Sequence, residues 1–405
     1  MRQTQQFAIP LIALTVVLGV GCQGPGSSHD ETKYRDEIRT LRSKLQNSPN
    51  DATLWAKLGA SYWAIGHYDE AERAYHTAVT LGPAEAGTRI DLAKVLYHRG
   101  RYMASAREAR AALALHPAAG HDAAWIRTFL ERYTRLAPRS PGGSPALVAP
   151  GGSNSIGMRF VAIPGGTYSR GALRGEADER PVRAITLSPF FIASFEVTVG
   201  QFRRFVDEAQ YSTPAPLDRL LGVNQPDLPA FAVSWSDAES FAIWLSQRER
   251  AVYRLPTEAE WELAARGFSG FLQPWGNEPG QSQTDGNWRR PRSEDVRATI
   301  PPVRAVGSFP RDRSPFGVWD MAGNVQEWCL DSYDASYYGW SPTQDPYGPT
   351  DGSGLKVLRG GAWNHPGSSR FGVARSRAAH DLRYTGFGFR LVREGDSNSS
   401  SLADR

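Results

Sequence analysis

Cysteine is scarce in this chain, because only Cys22 and Cys329 occur among 405 residues. If Cys22 is modified or removed, Cys329 has no partner and no intramolecular disulfide forms. The thiol of Cys329, in an apolar neighbourhood, is then either a small packed hydrophobe or a reactive or metal-binding group. Lysine is also scarce, with five residues, so the net charge of +4 depends mainly on arginine. No basic block is present, which argues against a nucleic-acid partner.

The length and composition predict more than one folded unit. A chain of 405 residues exceeds a single compact core, so we expect two or three domains. A hydrophobic fraction of 40% and an aromatic fraction of 11% are enough to bury several cores, which excludes wholesale disorder.

Residues 1–21 have the features of an export signal. Arg2 precedes an apolar run that ends at Val20 and is too short and too poorly flanked for a spanning helix. Gly19 and Gly21 precede Cys22, which resembles a bacterial lipoprotein signal, in which the cysteine is acylated and becomes the new N-terminus. Cleavage after Gly21, with release of a soluble exported protein, is the alternative.

The predicted location is therefore the bacterial cell envelope. Residues 22–32 are small and polar and predict a flexible tether to a membrane, where acyl chains at Cys22 would provide the anchor. Gln23, by resemblance to lipoprotein sorting rules, favours the outer membrane with the protein facing the periplasm.

Residues 33–138 show a period of 34 residues, which is typical of tetratricopeptide repeats. Gly66 recurs as Gly100 and Tyr68 as Tyr102, and Ala123–Leu136 has the helical register of a closing helix. The prediction is an all-α repeat module that binds a protein or peptide, or that serves only as a spacer or an oligomer contact. Residues 139–155, rich in Pro, Gly and Ser, predict a linker that leaves the orientation of the two modules free.

Beyond the linker, short strands and capped helices alternate with long irregular stretches. Thr198 with Gln201, and Thr257 with Glu260, have the spacing of capping boxes at helix starts. An ordered domain with so much coil needs internal staples, such as aromatic packing, buried arginines or metal ions.

Six motifs between residues 157 and 393 resemble, in their order, the formylglycine-generating (sulfatase-modifying factor) family. They are Glu196-Val197-Thr198, Val233-Ser234-Trp235, the segment Arg254–Glu262, the segment Gly317–Trp328, Arg359-Gly360-Gly361-Ala362-Trp363 and Gly388-Phe389-Arg390. The resemblance implies that residues 156–394 form an α+β C-type-lectin-like domain with little regular secondary structure. Residues 395–405 are predicted to be a disordered tail.

The reactive atoms of that family are missing. In its active members, two cysteines after the Gly-Gly-x-Trp motif bind copper(I) and, with oxygen, convert a sulfatase cysteine to formylglycine. Here no cysteine follows Cys329, and soft thiolates are the ligands that copper(I) requires. His365 and His380 do not reproduce a two-thiolate site. We therefore expect neither copper binding nor formylglycine generation.

The resemblance also implies a calcium loop. Side-chain oxygens of Asp320 and Glu327, with the carbonyls of Gly323 and Val325, would give Ca²⁺ an oxygen shell. The alternative makes Asp320 a helix N-cap and Glu327 the buried partner of an arginine. Asn287 is a candidate for a second calcium site.

Two functions stay open at this point. One is an envelope protein whose lectin-like domain binds a peptide, glycan or protein without catalysis, while the repeats recruit a partner. The other is an enzyme with different, cysteine-independent oxidase-type chemistry, for which Glu258, His365 and Asp381 are acid–base candidates.

Overall fold

The structure is a computed structural model, and it describes residues 27–82, 85–115, 121–138, 152–213, 217, 220, 222–281, 284–288, 292, 295, 300–349, 354–365 and 371–395. The predicted signal, Cys22 and most of the predicted linker and tail lie outside these residues. Within them, no helix combines the length and the apolar character needed to cross a membrane.

The N-terminal part is helical, as predicted. Its helices are α1 (Ser27–Asn47), α2 (Ala52–Ala64), α3 (Tyr68–Leu81), α4 (Ala86–His98), α5 (Tyr102–Ala114) and α6 (His121–Arg135). Helices α2 and α3 pack as one pair and α4 and α5 as the next. The pairs start 34 residues apart, but their assignment to the tetratricopeptide class stays a prediction.

Two kinds of glycine allow this packing. A Cβ on Gly59 would lie 2.9 Å from the ring of Tyr75, so only glycine lets α2 approach α3 this closely. Gly66 and Gly100 occupy the equivalent turns within the two pairs, with φ values of 75° and 72°, which glycine adopts without steric cost.

The predicted tether is shorter than residues 22–32. Helix α1 begins at Ser27, so Ser27 to Thr32 belong to a helix rather than to a flexible segment. The apolar side chains of Ile38, Leu41 and Leu45 pack against α2, and this burial stabilises the C-terminal part of α1.

The C-terminal part contains short strands in three sheets. The strands are β1 (Phe160–Ile163), β2 (Gly166–Arg170), β3 (Arg183–Leu187), β4 (Phe190–Ala193), β5 (Tyr253–Arg254), β6 (Gln326–Ser332), β7 (Leu355–Arg359), β8 (Arg375–Ala379), β9 (Phe387–Gly388) and β10 (Val392–Arg393). The sheet orders are β1-β4-β10-β5, β2-β3 and β8-β7-β6-β9, and all pairs are antiparallel except β6 with β9.

Helices that accompany the sheets in the described part of the chain include α7 (Val199–Ala209), α8 (Trp235–Glu249), α9 (Glu258–Arg266) and α10 (Tyr337–Trp340). Both predicted capping boxes are confirmed. Gln201 N donates to Thr198 Oγ1 at 3.3 Å, Glu260 N donates to Thr257 Oγ1 at 3.2 Å, and each partner side chain accepts in return. The chain thus has an N-terminal helical region and a C-terminal domain with sheets, whereas the lectin-like class of this domain stays a prediction.

The two parts of the chain are in contact, so the orientation that the linker was expected to leave free is set by an interface. The ring of Tyr347 lies between the guanidinium of Arg99, at the end of α4, and that of Arg254, in β5, with both guanidinium carbons 5.3 Å from the ring centre. Elsewhere, Arg132 of α6 pairs with Glu239 of α8 at 2.5 Å. Arginine contacts therefore accompany an apolar cluster that continues from the helical part into the C-terminal part.

The predicted linker also ends earlier than residue 155. Asn154 accepts hydrogen bonds from the backbone of Ile156 and Met158, and Ser155 Oγ donates to Glu249 at 2.5 Å. Residues 152–155 therefore pack on the C-terminal domain.

Candidate functional site

The Asp320–Glu327 loop, predicted to hold calcium, lies deep in the C-terminal domain and continues into β6, in which Glu327 is the second residue. Asp320 and Asn324 have φ values of 58° and 77°, so the backbone is left-handed both before and after Gly323. A Cβ on Gly323 would lie 2.7 Å from the backbone nitrogen of Asn287. Glycine is therefore required at position 323, because the backbone of the Asn287 segment approaches it closely.

Glu327 is paired with an arginine. Arg390 Nε and Nη2 donate to its two carboxylate oxygens at 2.5 Å each, and Trp261 Nε1 donates to Oε2 at 2.9 Å. Both side chains are buried, with exposures of 1% for Glu327 and 0% for Arg390. The sequence left two interpretations of Glu327, a calcium ligand or the buried partner of an arginine. In the structure Glu327 is paired with an arginine.

Asp320 is placed differently from Glu327. It is buried and accepts a hydrogen bond from Gly307 N at 2.6 Å, and its backbone is left-handed rather than that of an N-cap. Burial raises the pKa of its carboxyl to about 7, although Gly307 and Arg390 act in the opposite direction. A bound cation would favour the ionised carboxylate at this position.

Glu196 joins the same cluster, although the sequence analysis used it only as part of a motif. Its carboxylate accepts from Asn324 Nδ2 at 2.8 Å and from Val325 N at 3.1 Å. Burial, followed by repulsion from Asp320, raises its pKa well above the usual range, and the same two causes raise the pKa of Asp312. Only a structure could show this cluster, because its carboxyls are far apart in sequence.

Asn287 belongs to this cluster rather than to a separate site. Its Nδ2 donates to Asn324 Oδ1 and to Pro302 O, both at 3.0 Å, and its carbonyl accepts from Asn324 N at 3.0 Å. The structure therefore brings Asn287, Asp320, Gly323 and Val325 to one place. Among the described residues, no group of three or more His, Cys, Asp or Glu side chains is placed to hold a metal ion, so a cation at Asp320 stays a prediction. The oxygens of Glu327 already accept hydrogen bonds from Arg390 and Trp261.

The segment after Trp363, where the family's thiols would lie, is described as far as His365. Trp363 is buried, and its Nε1 donates to Thr385 O at 3.1 Å. Asn364 Nδ2 donates to the hydroxyl of Tyr384. Burial lowers the pKa of His365, so its imidazole is neutral at pH 7.

Exposed apolar side chains lie beside this segment. Leu382 is 47% and Tyr384 46% exposed, and the Tyr384 ring packs edge-on against Phe387, with centroids 5.2 Å apart. We call the surface formed by Asn364, His365, Leu382 and Tyr384 the Tyr384 face. It presents the side chains of Leu382 and Tyr384 to solvent, whereas Asn364 Oδ1 is buried.

The acid–base candidates are not equivalent. Glu258 is fully buried, and its oxygens accept from Arg375 at 2.6 and 2.9 Å and from Arg359 at 3.3 Å. Asp381, by contrast, is exposed. Glu258 therefore has a structural role in an ion-pair network rather than access to a substrate.

Cys329 is a packed core residue. It is 0% exposed in β6, among the apolar side chains that surround α9. Burial, together with the nearby carboxyls of Asp331 and Glu258, raises the pKa of its thiol well above the usual range. The thiol is therefore protonated and inaccessible, which favours the packed hydrophobe over the reactive group.

Comparison with known proteins gives consistent matches in the C-terminal part. Residues 149–395 match the sulfatase-modifying factor enzyme 1-like domain. The formylglycine-generating enzyme of Streptomyces coelicolor is 33% identical over 300 residues, which cover 60% of this chain and 92% of that protein. The inactive C-alpha-formylglycine-generating enzyme 2 of Bos taurus is 29% identical, with 62% and 88% covered. Among solved structures, PvdO from Pseudomonas aeruginosa is 27% identical with a TM-score of 0.48, and 64% of this chain and all of that chain are covered.

Proposed function

Because this chain belongs to the sulfatase-modifying factor family, and its sequence lacks that family's thiols, we propose that its C-terminal domain binds a ligand without performing the family's oxidation. In this proposal the protein is exported and lipid-anchored in the cell envelope, and its helices contact a protein partner. The observation that carries the proposal is that the one cysteine of the domain, Cys329, is enclosed in the core.

A thiolate is required both to bind copper(I) and to transfer electrons in that chemistry. The thiol of Cys329 has a raised pKa and no access to solvent, and no residue after Cys329 in the sequence contains sulfur. His365 offers one neutral imidazole, which is a poor substitute for two thiolates. These facts support a domain without the family's oxidase activity. One relative of this chain is itself named as an inactive formylglycine-generating enzyme.

The Tyr384 face is our candidate surface for a peptide or glycan ligand. Aromatic rings bury a large area at little entropic cost, and the tyrosine hydroxyl supplies a polar group at the ring edge. Tyr384 and Leu382 are both close to half exposed, although apolar side chains of this size are usually buried.

For the helical part we propose tetratricopeptide-type repeats that grip a protein or peptide, and for the C-terminal part a C-type-lectin-like fold. The helical pairs repeat at 34 residues. A cleft of about 700 Å³ between α1 and the α2–α3 turn, lined by residues that include Ile38, Arg42 and Tyr62, could receive part of such a partner.

For the location we propose acylation of Cys22 and attachment to the outer membrane, facing the periplasm. Helix α1 begins at Ser27, so only a few residues would separate the anchor from the folded part. The test is fractionation of cells that express the wild type or Cys22→Ala. The variant should move from the membrane fraction to the soluble fraction, and an unchanged distribution would favour export of a soluble protein.

We also propose that Ca²⁺ binds at Asp320, with the carbonyls of Gly323 and Val325. Ca²⁺ would offset the repulsion between the buried carboxyls of Asp320 and Glu196 and so stabilise the loop. The test compares the Tm in excess Ca²⁺ and in EDTA. Calcium should raise the Tm of the wild type but not that of Asp320→Asn, and an equal response of both proteins contradicts this assignment.

The decisive experiment for the absence of catalysis uses a Cys-x-Pro-x-Arg peptide with copper and oxygen. We expect no aldehyde by mass spectrometry, whereas the Streptomyces coelicolor relative serves as the positive control. In parallel, capture from envelope extract should retain a ligand on the wild type that Tyr384→Ala loses. Aldehyde formation by this protein would instead establish the alternative, an enzyme with cysteine-independent chemistry.

A further inference from the structure

A cleft of about 630 Å³ lies between the two parts of the chain, away from both the Tyr384 face and the Asp320–Glu327 loop. One wall is the start of α5, with Arg101, Met103, Ala104 and Arg107. The other wall is the turn between α8 and β5, which includes Arg250 and Val252, and the chain after β10 adds Glu394. We call this space the junction cleft, because neither part of the chain forms it alone.

The charges of the junction cleft do not cancel. Its acidic residue, Glu394, is ion-paired with Arg254 at 3.3 Å and with Arg101 at 3.2 Å. Burial would raise the pKa of Glu394, but the guanidiniums of Arg254, Arg101 and Arg99 outweigh burial and lower it. The carboxylate is therefore ionised and already engaged by arginines of both parts.

Among the described residues, two arginines of the cleft have little or no compensating negative charge. Arg107 is 71% exposed and contacts Glu108 at 3.2 Å, but Glu108 also pairs with Arg89 at 2.6 Å. Arg250 is exposed, and its side chain has no ion pair or hydrogen bond with the described part of the chain. An anionic ligand would find two available guanidiniums, one on each wall.

The remaining lining is compatible with a polypeptide. Met103, Ala104, Ala251 and Val252 supply apolar surface between the arginines, and the volume lies in the range of specific ligand sites. Guanidinium groups bind carboxylates through paired, charge-assisted hydrogen bonds. We propose that the junction cleft binds an acidic peptide segment whose carboxylates reach Arg107 and Arg250 and whose apolar atoms pack on Met103 and Val252.

Binding in this cleft has a mechanical consequence. Because the walls belong to different parts of the chain, an occupant stabilises their docked arrangement by mass action. The docked arrangement already depends on ionic contacts, such as Arg101 with Glu394. Binding of an acidic partner would therefore depend on whether the two parts of the chain are docked.

The test is fluorescence anisotropy with a fluorescein-labelled hexaglutamate peptide and the purified protein at low salt. Arg250→Gly is the first variant. Arg250 has a φ of 52°, a left-handed conformation that glycine adopts more readily, so this change removes the guanidinium without a backbone cost. Arg107→Ala is the second variant, since alanine is the best helix former for a position within α5.

Arg127→Ala is the matched control. Arg127 is an exposed arginine of α6 that does not line the junction cleft, so the change in net charge is the same. A hexaglutamine peptide controls for non-ionic binding.

We expect saturable hexaglutamate binding whose Kd rises roughly tenfold in each of the two cleft variants, because each loses a charge-assisted contact. Arg127→Ala should change the Kd less than about twofold, and added salt should weaken binding of the wild type. The Tm of Arg250→Gly should be no lower than that of the wild type, which separates lost binding from lost folding. Absence of saturable binding overturns the proposal, and so does equal weakening by Arg127→Ala or an unchanged Kd in both cleft variants.

Discussion

Replacing Gly100 by alanine tests whether the two parts of the chain are rigidly docked. A Cβ on Gly100 would lie 2.5 Å from Cβ and 2.7 Å from Cδ of Arg254. Arg254 cannot move away easily, because it is buried and donates to Glu260 at 2.6 and 2.8 Å. The overlap should therefore force the helical part away from β5.

The repeat provides the matched control. Gly66 has a φ of 75°, against 72° for Gly100, but its Cβ would meet nothing closer than Pro342 Cγ at 3.6 Å, which is an ordinary contact. Both substitutions incur the left-handed backbone cost, about 1–2 kcal/mol. Only Gly100→Ala adds overpacking, which costs roughly 1–3 kcal/mol more.

The assay is urea unfolding of the intact chain followed by tryptophan fluorescence. We expect the transition midpoint of Gly100→Ala to lie clearly below that of Gly66→Ala, and the latter slightly below that of the wild type. Equal midpoints for the two variants would refute the reasoning, because they would show that Arg254 and Gly100 are not held against one another.

Three further predictions concern buried groups. Glu258→Gln should lower the free energy of unfolding by about 3–5 kcal/mol, measured in urea, because it removes the ion-pair partner of buried Arg375 and leaves Arg359 with Glu262 alone; a smaller change than in an exposed control such as Glu37→Gln would contradict this. Burial, then Glu258, raises the pKa of Asp331 from 3.8 to about 7, so the folded state holds a proton that the unfolded state has lost. Stability should therefore fall as pH rises through that window, and Asp331→Asn should flatten the pH dependence of the urea midpoint. Cys329→Ser should cost about 1–3 kcal/mol by burying a hydroxyl, and in the wild type the Cys329 thiol should react with a thiol reagent only after denaturation.

Local features of the fold could be predicted from the sequence. The capping boxes at Thr198 and Thr257 depend on residues three positions apart, and the helical repeat depends on a fixed period, so neither needs knowledge of the tertiary structure. Of the staples considered for an irregular domain (aromatic packing, buried arginines or metal ions), buried arginines are present, since Arg359 and Arg390 are both 0% exposed.

The partners of those arginines could not be predicted in the same way. Glu327 meets Arg390 across 63 positions and Glu258 meets Arg375 across 117, and no local pattern selects one carboxylate among 42 acidic residues. The same limit hid Glu196, whose part in the carboxyl cluster appears only when β4 and the loop before β6 come together. The module interface escaped prediction because its linker suggested free orientation, whereas cation–π contacts at Tyr347 and a shared apolar cluster join the two parts.

The arginine network also supports the segment where the family's thiols would lie. Arg359 donates to Gly372 O and Val373 O at 2.9 Å each, so it fixes the chain directly after the segment where the thiols would lie. Trp363 holds the other side of that segment through Thr385. Neither anchor involves sulfur, and the same arginine is neutralised by Glu258 and Glu262. The supports of this segment therefore do not depend on cysteine, which is consistent with the binding module that we propose.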